Sequence, residues 1–334
     1  MKILITGGCG FIGSHVLLEL LAQDKEYEIL VIDNLSNSKE SIINKIIIYS
    51  GKNVEFSKTD LRNESKLYEV IKKFKPEIIF HFAGLKSVAE SEVKPELYFE
   101  HNVNSTEILL KILNMIGCDK IIFSSSATVY GDPVYLPYDE KHPTNPTNNY
   151  GKTKLICENL IKDWTNKNLN RCSIILRYFN PVGAHSSGFF GENPRGIPNN
   201  LFPIISKTAI GEYKKFKIYG NDYETKDGTA ERDYIHVMDL AKAHIACINL
   251  LFNIFKINVF NIGVGESKSV LEVLSEYEKV CDKKIFFEFA KKRSGDLAIY
   301  WADPSLSFQK INWKPKYSLK DACEHSWKWY QNNS

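Results

Sequence analysis

At 334 residues the chain can hold one large α/β domain and a smaller lobe but not an array of domains. A charged fraction of 25% and a hydrophobic fraction of 43% are ordinary for a globular protein, and a net charge of +3 suits a pocket for a small anion rather than a nucleic-acid surface, which needs a clustered basic face. No apolar run reaches membrane-span length, the apolar start at residues 1–5 runs into glycines as no signal peptide does, and the seven scattered cysteines form no CxxC pair, so the expectation is a cytoplasmic protein with reduced thiols, no metal site and no membrane partner.

In chain order, short β-branched runs alternate with helical patterns. Residues 2–6 read as a strand, 12–23 as a helix, 29–32 and 54–57 as strands, and 64–74 as a helix. Strand 78–82, helix 104–116, strand 121–124, helix 150–166 and strand 174–177 follow, and residues 259–262 read as one more strand, returning late. Buried strands alternating with amphipathic helices predict an α/β fold: a Rossmann-type, doubly wound parallel sheet covered on both faces. Gly, Pro and Asn cluster over residues 181–200, which read as loop. The predicted division is a dinucleotide-binding domain over 1–180, with a returning segment near 235–262. Residues 181–334 form mainly a smaller C-terminal substrate-binding lobe over the carboxyl edge of the sheet.

Residues 7–13 read GGCGFIG, between the first strand and the first helix. Gly8, Gly10 and Gly13 satisfy GxGxxG, while Gly7, Gly10 and Gly13 satisfy GxxGxxG. A pyrophosphate needs bare backbone beside it, and the helix start offers unpaired N–H groups and a positive dipole end. Asp33 ends the second strand, where a carboxylate accepts hydrogen bonds from an adenosine ribose and repels a 2′-phosphate, so NAD is favoured over NADP. Asp60, after the third strand, is placed to hold the adenine amino group; taken alone it reads as a helix cap.

Tyr150 and Lys154, in YGKTK, lie four residues apart and share one helix face, while Leu155, Ile156, Leu160, Ile161 and Trp164 read as that helix's core. A tyrosine base at neutral pH needs its pKa lowered by about 3 units, or about 4 kcal/mol. One ammonium at roughly 6 Å and an effective dielectric of about 20 supplies about 2.8 kcal/mol. Lys154 alone is therefore insufficient, and Lys154 together with a positive nicotinamide is the expected source. Ser126, in FSSSATVYGD just past the fifth strand, is placed to hold a substrate oxygen against Tyr150. His81 reads as packed and His236 as a backbone-positioning group.

These segments, with DNLSNSK, HFAGLKSVAES, LRYFNPVGAH, GIPNNL, YGNDYETKDGT, RDYIHVMDLA and RSGDLAIYWAD, resemble the extended short-chain dehydrogenase/reductase family, and within it the UDP-glucose 4-epimerases, along nearly the whole chain. The resemblance implies roles position by position. Phe11 and Ile12 would line the pyrophosphate of NAD, and Asp33, Asn34, Leu35, Ser36, Asn37, Ser38 and Lys39 would surround the adenosine ribose. Asp60 and Leu61 would meet adenine. Phe82, Ala83, Gly84, Lys86, Ser124 and Phe179 would lie on the nicotinamide side, with Lys86 also near the substrate. Asn180, Asn200, Leu201, Lys217, Ile218, Tyr219, Arg232, Arg293 and Asp296 would hold UDP, the two arginines as forked donors to its diphosphate. A bulky Tyr300 resembles the form that accepts UDP-glucose and UDP-galactose and excludes N-acetylated sugars. Either His101 or Asn102 would touch NAD. The implied assembly is a homodimer paired through helices near 104–116 and 150–166. A related sugar-nucleotide 4,6-dehydratase would carry an acidic pair after Ser126, where this chain has Ala127 and Thr128. A simple alcohol dehydrogenase would release reduced cofactor, and a non-catalytic NAD-binding protein would typically lack Tyr150 or Lys154.

Overall fold

The computed structural model of the protein describes residues 1–196, 198–253, 256–293 and 296–333; Ile197 of GIPNNL and Ser294 and Gly295 of RSGDLAIYWAD lie outside them. Two compact units are present. One comprises Met1–Gly131, Pro143–Tyr178 and Ala241–Phe260, the other Asp132–His142, Phe179–Leu240 and Asn261–Ser334.

The first unit is built on strands β1 (Lys2–Thr6), β2 (Glu28–Asp33), β3 (Glu55–Lys58), β4 (Ile78–His81), β5 (Lys120–Ser126) and β6 (Cys172–Tyr178). With the strand Ile257–Ile262 they form a seven-stranded sheet, running from that strand through β6, β5, β4, β1 and β2 to β3. Every neighbouring pair among β1–β6 is parallel. The order reverses between β1 and β4, and such a switch point opens a crevice at the carboxyl ends of the strands. Strands β1, β4 and β6 are buried along nearly their whole length, whereas the edge strand β3 is only half-buried. Helices α1 (Phe11–Leu21), α2 (Ser41–Ser50), α3 (Glu64–Phe74), α4 (Val88–Val93), α5 (Pro95–Tyr98), α6 (Ser105–Ile116) and α7 (Asn149–Asn166) accompany them, with most of the helix Val237–Asn253. Leu67 and Ile71 of α3, Leu109 and Leu113 of α6, and Ile161 and Trp164 of α7 share one core cluster with Leu4, Ile79 and Phe123 of the sheet.

Three local readings are corrected. Helix α2 was not anticipated. Its isoleucine-rich sequence favours strands, yet Ile43 and Ile46 bury one narrow face, and Gly51 ends the helix in the left-handed conformation. Helix 104–116 is preceded by a π-helical turn, Phe99–Asn104, which no periodicity announces. The loop at 181–200 begins with a strand, Asn180–Val182, paired in parallel with Tyr234–His236 in the second unit. That partner lies far along the chain.

Candidate active site

The glycine turn is resolved between its two possible frames. Gly7 adopts φ 71°, and a Cβ there would lie 2.7 Å from the Ala83 nitrogen, so Gly7 is the turn glycine. A Cβ on Gly13 would lie 2.5 Å from the Gly7 carbonyl oxygen, so Gly13 secures the helix against the turn. A Cβ on Gly10 would meet only the Gly7 oxygen, at 3.3 Å, which leaves that face of backbone open. No side chain caps α1 and its first turn holds no acidic residue. An open glycine face beside uncapped helix N–H groups fits the pyrophosphate of a dinucleotide.

Asp33 does more than was expected of it. It is buried, its Oδ1 accepts the Leu35 N–H at 2.8 Å and the Ser38 hydroxyl at 2.9 Å, and its Oδ2 accepts the Cys9 N–H at 3.0 Å. One carboxylate thus ties the glycine turn to the loop after β2 and holds Leu35 at φ 60°. Asn37 of that loop is exposed, and Leu61 is buried in the core cluster. Asp60 is gripped by Arg62 Nε at 3.0 Å and Nη2 at 2.9 Å and by Asn34 Nδ2 at 2.9 Å, which hold its carboxyl well below the usual range. It does not cap α3; the Asn63 side chain does. Asn34, Ser36, Lys58, Thr59, Asp60, Arg62 and His101 line one surface cavity. His101 therefore stands on the Asp60 side. Asn102 is buried and bonds to protein, accepting the Leu85 N–H at 2.7 Å and donating to the Leu85 carbonyl and to Thr153 Oγ1. It shapes the loop holding Phe82, Ala83, Gly84 and Lys86. His81 is packed between the Thr6 and Thr106 hydroxyls, and burial pushes its pKa to about 3.

Helix α7 starts with its first donors satisfied. Glu92 accepts the Asn149 N–H at 2.7 Å, Ser91 Oγ the Tyr150 N–H at 3.0 Å, and the Asn148 side chain the Gly151 N–H at 2.8 Å. These bonds fix the backbone of Tyr150 against α4. The helix's buried face carries Lys154, Cys157, Glu158, Ile161 and Trp164, while Ile156 is exposed and Leu155 half-buried, which corrects their reading as core. Lys154 donates from Nζ to the Ser124 carbonyl at 2.8 Å and lies 5.9 Å from the Tyr150 ring centre. Burial lowers its pKa to about 8, against the pull of Cys157 and Glu158. Ser126 acts on Tyr150 in favour of the phenolate, and the turn after β5 meets the start of α7, where a Cβ on Gly151 would lie 2.7 Å from the Thr128 carbonyl oxygen. Burial pushes Tyr150 up to about 12, and Ser126 opposes it, because removing a phenolate from water outweighs an ammonium directed at a carbonyl.

Sequence reading missed the groups behind this assembly. Glu158 accepts the Ser125 hydroxyl at 2.6 Å and a forked pair from Arg177, Nε at 2.9 Å and Nη2 at 2.7 Å. Only the spacing of Glu158, four residues after Lys154, was visible beforehand. The Tyr178 hydroxyl bonds to His244.

In the second unit, Arg293 Nε donates to Asp296 Oδ2 at 2.7 Å and Arg232 Nη2 stands 3.8 Å from Asp296 Oδ1, so one carboxylate gathers two guanidiniums. Arg293 also lies 4.8 Å over the Tyr219 ring. Lys217 is exposed on the strand Phe216–Tyr219, whereas Ile218 is buried in a core cluster and offers only its backbone. Asn200 donates to Glu192 at 2.6 Å and precedes the helix Leu201–Ala209, while the Asn180 N–H donates to the Asp233 carbonyl. Phe179 and Tyr300 pack at 5.0 Å, with Tyr138 5.3 Å from Tyr300. His236 accepts the Met238 N–H at 3.1 Å and contacts His325 at 3.0 Å. Among the described residues no group of side chains could hold a metal ion, and no helix is long and apolar enough to cross a membrane.

Comparison with known proteins gives consistent matches. The family described as GDP-mannose 4,6 dehydratase matches residues 4–326. UDP-glucose 4-epimerase from Bacillus subtilis (strain 168) is 43% identical over 333 residues, covering 100% of this chain and 98% of that protein. The enzyme from Homo sapiens is 43% identical, covering 99% and 97%. UDP-glucose 4-epimerase from Bifidobacterium longum, crystallised with NAD+ and UDP, superposes with a TM-score of 0.95 at 42% identity over 100% of this chain and 99% of that one. The Stenotrophomonas maltophila enzyme, with NAD and formylated UDP-arabinopyranose, superposes at 0.96 with 37% identity, covering 100% and 98%.

Proposed function

This chain belongs to the family described as GDP-mannose 4,6 dehydratase and to the UDP-glucose 4-epimerases, and from that premise we propose that it interconverts UDP-glucose and UDP-galactose by inverting carbon 4 of the sugar. The observation that carries the reading is the Ser126–Tyr150–Lys154 assembly at the end of β5. Bound NAD+ would supply the acceptor for the hydride of carbon 4. Gly7, Gly10 and Gly13, with Asp33 and its loop, would hold that dinucleotide. Tyr150, with Ser126 beside it, takes the proton of the sugar 4-hydroxyl and returns it to that oxygen after carbon 4 has been reduced on its opposite face. Lys154 holds a positive charge beside the phenol ring. Arg232 and Arg293 bind the diphosphate, so the 4-keto sugar stays tethered while it turns. Tyr300, backed by Phe179 and Tyr138, limits the room beside sugar carbon 2, which favours the two unsubstituted sugars.

The 4,6-dehydratase alternative lacks its acid. Ala127 is buried and apolar, and the Thr128 hydroxyl donates to Ser126. A cytoplasmic location is part of the same proposal and is supported by seven free, buried cysteines. So is a homodimer paired through α6 and α7, where Met115 and Ile156 are exposed.

The purified protein, incubated separately with UDP-galactose and UDP-N-acetylgalactosamine, is expected to convert the first and leave the second. A 6-deoxy-4-keto product would overturn epimerisation. Tyr150→Phe is expected to lose about 10²–10⁴-fold in kcat with the fold intact. Near-normal turnover in that variant would remove Tyr150 from its role.

A further inference from the structure

We propose that Thr128 is a positioning residue for this reaction, holding the Ser126 hydroxyl as a proton donor to Tyr150. The inference deepens the epimerase reading and rests on it. A serine oxygen carries one proton and two lone pairs. At Ser126 the oxygen accepts the Thr128 backbone N–H at 3.2 Å and the Thr128 Oγ1–H at 2.9 Å. With both acceptor positions used, Ser126 has only its own hydrogen left to offer. That hydrogen goes to the Tyr150 phenol, where Ser126 favours the phenolate.

The direction of that hydrogen bond decides its effect. A serine that donates stabilises the phenolate, whereas a serine free to accept stabilises the neutral phenol. Thr128 removes the second possibility. Its turn is well anchored: Ser126 caps the short 3-10 helix Ala127–Val129, and Ala127 and Val129 are both fully buried. The turn also meets α7 directly. A Cβ on Gly151 would lie 2.7 Å from the Thr128 carbonyl oxygen, so a residue without a side chain lets the start of α7, with Tyr150, close onto this turn. The titratable groups that act on Tyr150 or are acted on by it are Lys154 and Cys157 on α7 and Tyr178 on β6. The turn Ala127–Val129 adds no charge of its own, so its influence runs through Ser126.

The test compares Thr128→Val, which keeps the shape and the backbone N–H but removes the hydroxyl, with Thr128→Ser, which keeps the hydroxyl. Thr128→Ala serves as a second deletion that introduces no bulk. For the holoenzyme, kcat and KM with UDP-galactose are measured across pH, and the phenolate absorbance is titrated by difference against the same variant carrying Tyr150→Phe. Thr128→Val and Thr128→Ala are expected to move the acid limb of kcat up by about one pH unit, a roughly tenfold loss on that limb, with KM little changed. The phenolate titration should move the same way, and Thr128→Ser should restore both. An unmoved limb and titration would overturn the proposal, as would a loss equal at every pH that Thr128→Ser does not repair. A wild-type protein that fails to convert UDP-galactose would overturn the functional reading instead, and the phenolate titration would still decide the role of Thr128.

Discussion

Tyr150 carries two opposed influences. Burial raises its pKa to about 12 and Ser126 lowers it, while Lys154, itself lowered to about 8, directs its ammonium at the Ser124 carbonyl. A positive charge brought close to the ring would tip this balance toward the phenolate. In the cofactor-free protein Tyr150 is therefore expected to remain protonated throughout the neutral range, and NAD+ is expected to lower its titration. Spectra of wild type and Tyr150→Phe, recorded with and without NAD+, check this; a titration indifferent to NAD+ would contradict it. The residue types were legible in YGKTK and FSSSATVYGD because each motif is contiguous. Their electrostatic balance was not, because desolvation depends on what the rest of the chain packs around them. Asp33 makes the same point, since its position was visible but its bonds to Cys9, Leu35 and Ser38 were not.

Helix α7 is the element on which the chemistry is mounted, and its register against β5 and β6 is held by a buried ion pair. Glu158 is fully buried and Arg177 4% exposed, so neither charge has water to fall back on. Glu158→Gln is expected to cost about 3–5 kcal/mol, measured by chemical denaturation, because it leaves the guanidinium buried and unpaired. Replacing both partners with apolar residues of similar volume should return most of that loss; a double variant as unstable as the single one would refute this account. The carboxyl of Glu158 sits below its ordinary value through Arg177 and Ser125, against the effect of burial. Its folded pKa is depressed, so the pair's contribution is present above the unfolded value and is lost as pH falls through the lower folded one. The helix itself was legible from its apolar spacing. The choice of inner face was not: Ile156 turned out exposed and Glu158 buried, since a paired charge occupies a core position that hydrophobicity alone would deny it.

Over the whole molecule, the predicted cofactor residues lie mostly in one compact unit and the predicted nucleotide-sugar residues mostly in the other. Each ligand should therefore leave its own footprint in amide hydrogen exchange. NAD+ is expected to protect residues 9–13 and 33–38, and UDP to protect residues 217–219 and 232. At a free concentration a hundredfold above its dissociation constant, either ligand adds about 2.7 kcal/mol to the state that binds it. UDP protection confined to the glycine turn would contradict the assignment of Arg232 and Arg293.

From the sequence alone came the alternating elements, the parallel sheet, the glycine turn, the acid after β2 and the Ser, Tyr and Lys of the chemistry. All of these are carried by short-range pattern: hydrophobic period, glycine spacing and residues adjacent on one turn of helix. Tertiary structure alone decided which glycine takes the turn, which atoms Asp33 and Asn102 hold, that Glu158 pairs with Arg177, and that Thr128 occupies the lone pairs of Ser126. Those outcomes depend on groups brought together from distant strands and helices, and on how far each is removed from water. No local pattern encodes either quantity.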